Sequence, residues 1–169
     1  YTSNRYLSLI IMPTENCNFR CTYCYEDFSI GRMKDSIIEG VKSLISKRCS
    51  ELDLINISWF GGEPLVAKDV VLDISRFVSS MMYMYPRLRY VGDMTTNAYL
   101  LNYELAAELS KVGVRKYQIS LDGPREIHDL TRLRADGAST FDKIWSNLLS
   151  IRNSSLPVNV TLRIHVTVE

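Results

Sequence analysis

Strand-like and helix-like segments alternate along the whole chain, and this alternation limits its fold more than any other feature. "LSLIIM" (7–12) is an apolar run of strand length, too short for a helix. "SIIEGVKSLISKRC" (36–49) has apolar positions at helical spacing, with Asp35 placed to cap it. "LDLINISWF" (52–60) is a second strand, ended by Gly61 and Gly62. A helix over 69–85 stops near Pro86, where a missing amide hydrogen breaks the ladder. "LRYVGDMTT" (88–96) reads as the third strand. The helix "NYELAAELSKV" (102–112) follows, closed by Gly113 in a left-handed C-cap. "RKYQISL" (115–121), the helix "TFDKIWSNLLSIRN" (140–153) and the strand "VNVTLRIHVTV" (158–168) complete the series. "RLRADGAS" (132–139) reads as an exposed loop between units.

A strand–helix unit recurring every roughly 30 residues predicts a parallel α/β fold, either a barrel or a doubly wound sheet. In both, ligands bind beyond the C-terminal ends of the strands. The chain's unusual residues all fall at that edge: a cysteine-rich loop after the first strand, "GGEP" after the second, "TTNA" after the third and "SLDG" after the fourth. Sharing one rim, they point to a single site.

Composition excludes several functions. With 46% hydrophobic residues among 169, the chain suits one domain with a substantial core. A net charge of +1, with both signs mixed along the chain, offers no reason to expect nucleic acid or an anionic membrane as partner. No apolar stretch approaches the roughly 20 residues of a membrane span, and no signal peptide is visible. The chain opens on Tyr1 and stops within a strand-like segment, so it is expected to be part of a longer protein.

Three of the four cysteines stand within eight residues in "CNFRCTYC" (Cys17, Cys21 and Cys24). Clustered thiols without a secretory signal indicate metal or redox chemistry in a reducing compartment, hence a cytoplasmic protein. Thiolates suit zinc and iron–sulfur clusters. A [4Fe–4S] cube held by three cysteines leaves one iron free for a substrate or cofactor. Two other readings stay open on the spacing alone: a zinc site borrowing His128 or His165, and a trio with no metal role. Cys49, at the end of the first helix and away from the rim, reads as core.

Cys17-x3-Cys21-x-Tyr23-Cys24 resembles the signature of the radical S-adenosylmethionine (radical SAM) superfamily. "GGEP" at Gly61 to Pro64 resembles its SAM-binding turn. "SLDGP…HD..R", from Ser120 to Arg132, with "STFDKI" resembles the peptide- and protein-modifying branch that includes anaerobic sulfatase-maturating enzymes and ribosomal-peptide maturases. The resemblance implies a partial (βα)6 TIM-like barrel. Residues 1–169 would form its radical SAM core, truncated after about five strands, without the rest of the barrel or any SPASM-type auxiliary-cluster domain. It implies a [4Fe–4S] cluster on Cys17, Cys21 and Cys24, with SAM on the fourth iron. Reductive cleavage of SAM would give a 5′-deoxyadenosyl radical that attacks a peptide or protein side chain. A reducing donor such as flavodoxin or ferredoxin is implied as well. Related enzymes acting on small molecules, and a non-catalytic Cys-rich metal-binding module, are the alternatives. A fragment of such a barrel could itself be inactive.

By the same resemblance, Tyr23 lies near the adenine, or else packs against the barrel. The backbone of Gly61 and Gly62 and the Glu63 carboxylate meet the SAM ammonium, unless Glu63-Pro64 simply opens a helix. Ser120 and Asp122 meet the ribose and methionine parts, unless Asp122-Gly123-Pro124 is only a turn. Asn97 touches SAM from strand three or caps a helix, and Arg132 holds the SAM carboxylate in bidentate fashion. His128 and Asp129 support the loop. No catalytic base is identifiable.

Overall fold

A computed structural model of the chain describes residues 4–165. Five parallel strands form one sheet: β1 (Tyr6–Ile11), β3 (Leu54–Trp59), β4 (Arg89–Thr96), β5 (Val114–Ser120) and β7 (Asn159–Arg163), side by side in that order. The intervening helices are α1 (Asp35–Arg48), α2 (Lys68–Met84), α3 (Tyr103–Lys111) and α5 (Phe141–Arg152). This is the expected α/β architecture, a parallel sheet consistent with a partial TIM-like barrel. The predicted last strand continues through 166–168, which lie outside the described residues.

Period-two alternation decides which face of the sheet the helices cover. Ile55, Ile57 and Trp59 of β3, Met94 of β4, and Tyr117 and Ile119 of β5 are buried in one core with Ile45 of α1, Val70, Ile74 and Val78 of α2, and Leu109 of α3. Full burial of one such aliphatic side chain stabilises by about 1.5–3 kcal/mol. The opposite face carries polar residues: Asn56 and Ser58 of β3 both bond the Asp93 carboxylate of β4, at 3.3 and 3.0 Å.

Turn chemistry follows the sequence at two places. Gly113 has φ +90°, and a Cβ there would lie 2.6 Å from the Tyr90 ring. The Asn102 side chain caps α3 by accepting the Leu105 amide at 2.9 Å. Asp35, by contrast, is not a cap. Lys34 occupies that position without a side-chain bond, and Asp35 is the first helical residue, where a negative charge suits the helix dipole.

Three elements beyond the alternating pattern surround the rim. β2 (Phe19–Cys21) runs antiparallel to β6 (Arg132–Arg134), and α4 (Arg125–Thr131) leads into β6. The expectation of a loop over 132–139 is therefore corrected. Its first three residues form a strand, Arg132 is buried, and only 135–139 are exposed. Three-residue strands offer no periodicity to read, and the pairing partner of β6 lies in the cysteine loop.

Candidate functional site

A cleft of about 450 Å³ opens at the C-terminal ends of the strands. Cys17, Cys21, Cys24, Tyr23, Gly61, Gly62, Asn97, Ser120, Asp122 and Arg132 all line it. Of the residues expected at the site from sequence, only Glu63 does not.

The glycines position the cysteine loop. Gly61 has φ +115°, and a Cβ on it would lie 2.5 Å from the Thr14 carbonyl oxygen. One on Gly62 would lie 2.1 Å from that of Glu15. The amides of Gly62 and Glu63 donate to the carbonyls of Thr14 and Asn16, at 3.2 and 3.0 Å. The GGEP turn thus lies directly against the chain entering the cysteine loop, and the close approach needing glycine is to this chain's own backbone.

Glu63 lies beneath the cleft, fully buried. Its carboxylate caps the 3₁₀ turn Pro64–Ala67 through the Leu65 amide at 3.0 Å. It also accepts the Thr96 hydroxyl and the Asn97 amide, each at 2.7 Å. Burial pushes this carboxyl up, against the pull of those donors. The carboxylate joins the turn after β3 to the end of β4, beneath the residues that line the cleft. Glu63-Pro64 also opens a 3₁₀ helix, as the sequence allowed.

That junction aims Asn97. Its Nδ2 donates to Asn18 Oδ1 at 2.8 Å and approaches Cys17 Sγ at 3.9 Å. Ala98 beside it has φ +60°, a strained value for a residue with a side chain. Asn147 of α5 holds the segment by donating to the Ala98 and Tyr99 carbonyls at 2.9 and 3.0 Å.

The cysteines face the cleft from a short connected segment. The Cys24 amide closes a turn on the Cys21 carbonyl at 3.0 Å, and Thr22 bonds the Thr131 carbonyl of α4 at 2.9 Å. Cys17 Sγ accepts the Phe19 amide at 3.3 Å. Burial pushes the Cys17 thiol up to about 11. It raises Cys21 too, while the nearby Arg132 guanidinium pulls that thiol down. Half-buried thiols like these ionise when a positive metal centre offsets the desolvation.

Among the described residues, no three of His, Cys, Asp and Glu gather closely enough to hold one metal ion. A [4Fe–4S] cluster makes a different demand: each cysteine takes a separate iron. Three thiols spread over one wall of a cleft fit that group better than a single zinc. His128 is not free to join them, since both its ring nitrogens are engaged. His165 does line the cleft, with its ring edge-on to Tyr23 at 4.7 Å.

Within the same loop, Tyr23 links two buried charged residues. Its hydroxyl accepts Arg132 Nη1 at 2.7 Å and donates to Asp122 Oδ2. Burial, then the Asp122 bond, raises this phenol to about 12, so it stays protonated. Asp122 is 5% exposed and Arg132 7%. Asp122 Oδ1 and Arg132 Nε are nevertheless buried without a hydrogen-bond partner. Native folds pair nearly all such atoms, so an orphaned acceptor and donor beside a cleft fit a ligand carrying both an ammonium or hydroxyl and a carboxylate. Sequence reasoning placed these residues at the rim but missed the hydroxyl bridge. It also missed Phe60 and Arg163, which line the cleft too.

The Radical SAM superfamily model matches residues 11–167. The chain belongs to the Radical SAM superfamily. Members of this enzyme superfamily use a [4Fe–4S] cluster and S-adenosylmethionine (AdoMet). The chain is 31% identical over 165 residues to a cysteine-type anaerobic sulfatase-maturating enzyme of Clostridium novyi, covering 91% of this chain and 42% of that protein. It is 28% identical over 158 residues to a GTP 3',8-cyclase of Clostridium botulinum, covering 91% and 47% respectively. The solved structure of native anSMEcpe with bound AdoMet and Cp18Cys peptide superposes with a TM-score of 0.74 at 27% identity, over 92% of this chain and 42% of that one. This radical SAM chain thus spans less than half the length of these relatives. No helix among its described residues is long and apolar enough to cross a membrane.

Proposed function

We propose that this chain supplies the SAM-cleaving site of an enzyme that modifies a side chain of a peptide or protein, with residues 1–169 as its radical SAM core. The observation carrying the site is the cleft itself, which three cysteines line together with Asp122 and Arg132, each of the latter bearing an orphaned polar atom. Cys17, Cys21 and Cys24 would hold three irons. Arg132 would take the SAM carboxylate through a charge-assisted bond. Asp122 Oδ1 would accept from a hydroxyl or the ammonium, and Gly61, Gly62, Ser120 and Asn97 would line the remainder. Tyr23 keeps the Asp122–Arg132 pair in place from within the cysteine loop. When bound, the cluster and SAM supply a 5′-deoxyadenosyl radical that abstracts hydrogen. The protein must exclude water around it.

Likeness to the sulfatase-maturating enzyme, and to anSMEcpe solved with a peptide, supports a peptide or protein substrate. Likeness to a GTP 3',8-cyclase supports a second reading, in which the substrate is a small molecule. A flavodoxin or ferredoxin would supply the electron, in the reducing cytoplasm suited to free thiols. Reconstituted full-length protein, given SAM and reductant, separates the readings. Formation of 5′-deoxyadenosine stimulated by cysteine- or serine-containing peptides, with a mass change in the peptide, supports the first. Stimulation by a nucleotide alone supports the second.

A further inference from the structure

One buried imidazole is bonded to the backbone of Asp122 and, through Thr140, to that of Arg132. His128 of α4 is 0% exposed. Its Nδ1 accepts the Asp122 amide at 3.2 Å. A backbone N–H can only donate, so Nδ1 carries no proton and the neutral ring keeps its hydrogen on Nε2. That hydrogen is directed to Thr140 Oγ1 at 3.1 Å. The Thr140 hydroxyl in turn donates to the Arg132 carbonyl at 2.6 Å. The direction of every link follows from the first.

Thr140 is itself held firmly. Asp129 Oδ1 accepts the Thr140 and Phe141 amides at 2.8 and 3.0 Å, and the Phe141 ring meets His128 edge-on at 5.6 Å. His128, Asp129 and Thr140 do not line the cleft.

We propose that His128 and Thr140 form a positioning relay that sets the distance between Asp122 and Arg132 which bound S-adenosylmethionine requires, though neither touches it. The proposal rests on the reading of the cleft as a SAM site and goes one step deeper. Asp122 follows the end of β5 and Arg132 begins β6, with the short helix α4 between them. The relay ties both backbones to a common point below the floor. An apolar pair could fill the same space without the desolvation that a buried polar chain risks. The polar chain instead specifies where two backbones lie, and displacements of about 1 Å at such a site have large effects.

The test uses full-length protein carrying its reconstituted cluster, with SAM itself as the probe in equilibrium dialysis. Thr140→Val keeps the side-chain shape but removes the hydroxyl; Thr140→Ser restores it. The relay predicts that Thr140→Val binds SAM about tenfold more weakly at unchanged iron content, and that Thr140→Ser returns to within about twofold of wild type. His128→Leu should weaken SAM binding at least as much. Should that variant fail to fold, the Thr140 pair still decides. A Thr140→Val protein that melts lower yet binds SAM like wild type would reduce the relay to a stabilising contact and overturn the proposal. If wild type itself takes up no SAM, the reading of the cleft falls and the relay with it.

Discussion

Cys21 and Arg132 are register partners across the β2–β6 pair. One of the three clustered cysteines and the buried guanidinium of the cleft therefore share a single backbone scaffold. Tyr23, two residues beyond Cys21, extends that scaffold to Asp122. The proposed cluster ligands and SAM contacts are thus parts of one construction, and the substitutions below separate their roles.

Removing one thiol from the loop should remove the cluster. Cys21→Ala is expected to lose most bound iron and the broad visible absorbance after anaerobic reconstitution. Cys49→Ala should keep both, because Cys49 is buried in the core at the C-terminal end of α1, away from the cleft. Iron assay and absorbance check this. A full cluster in Cys21→Ala would refute the ligand assignment.

Tyr23→Phe removes the hydroxyl between two buried charged side chains while leaving the ring. Bonds to charged groups contribute about 1.5–3 kcal/mol each, so SAM affinity should fall by about 10- to 100-fold at constant iron content. Arg132→Ala should lose at least as much. Titration with labelled SAM reads both, and unchanged affinity in Arg132→Ala would make that residue a structural charge alone.

Glu63→Gln distinguishes a positioning carboxylate from a ligand contact. Three donors point at Glu63. A carboxamide cannot accept all three, because its NH2 would face one of them. The expected loss is about 1–3 kcal/mol of stability, seen as a lower Cm in urea. An unchanged Cm with weakened SAM binding would indicate a direct contact instead.

Gly62→Ala should be more damaging than a surface glycine substitution. Its Cβ would sit 2.1 Å from the Glu15 carbonyl oxygen, so the backbone entering the cysteine loop must move. Overpacking of this kind costs about 3 kcal/mol, and iron incorporation should fall with stability. Gly40→Ala in α1 is the control, since nothing lies within 4 Å of a Cβ added there and its φ is not positive.

Cluster-free protein should show slow alkylation of Cys17. Burial raises this thiol to about 11, so the reactive thiolate is scarce near neutral pH and rises as pH approaches that value. Iodoacetamide labelling followed by peptide mass spectrometry across pH 7 to about 10 measures it. Fast, pH-independent labelling of Cys17 would contradict the buried geometry.

The five strands and four long helices were legible because each repeats an apolar position at its own period over many residues. The rim was legible because turns rich in Gly, Asn and Asp end parallel strands where ligands bind. β2, α4 and β6 were not, since three to seven residues carry too little pattern and β2 pairs with a strand remote in sequence. Glu63 illustrates a different limit. An acidic residue in a glycine turn at the rim invites a contact role, and its sequence does not reveal that its partners in the fold are two backbone amides and the Thr96 hydroxyl, one amide and the hydroxyl coming from the end of β4. Tyr23 likewise showed its aromatic character in the sequence, but the use of its hydroxyl depends on Arg132 and Asp122 folding onto it.

In this cleft a [4Fe–4S] cluster would leave one iron for SAM. Anaerobic reconstitution, reduction and EPR with and without SAM test it most directly. The expected result is a [4Fe–4S]+ signal that shifts when SAM is added, in wild type and in Cys49→Ala alike. A protein that takes up zinc instead of iron, or a cluster signal indifferent to SAM, would contradict it.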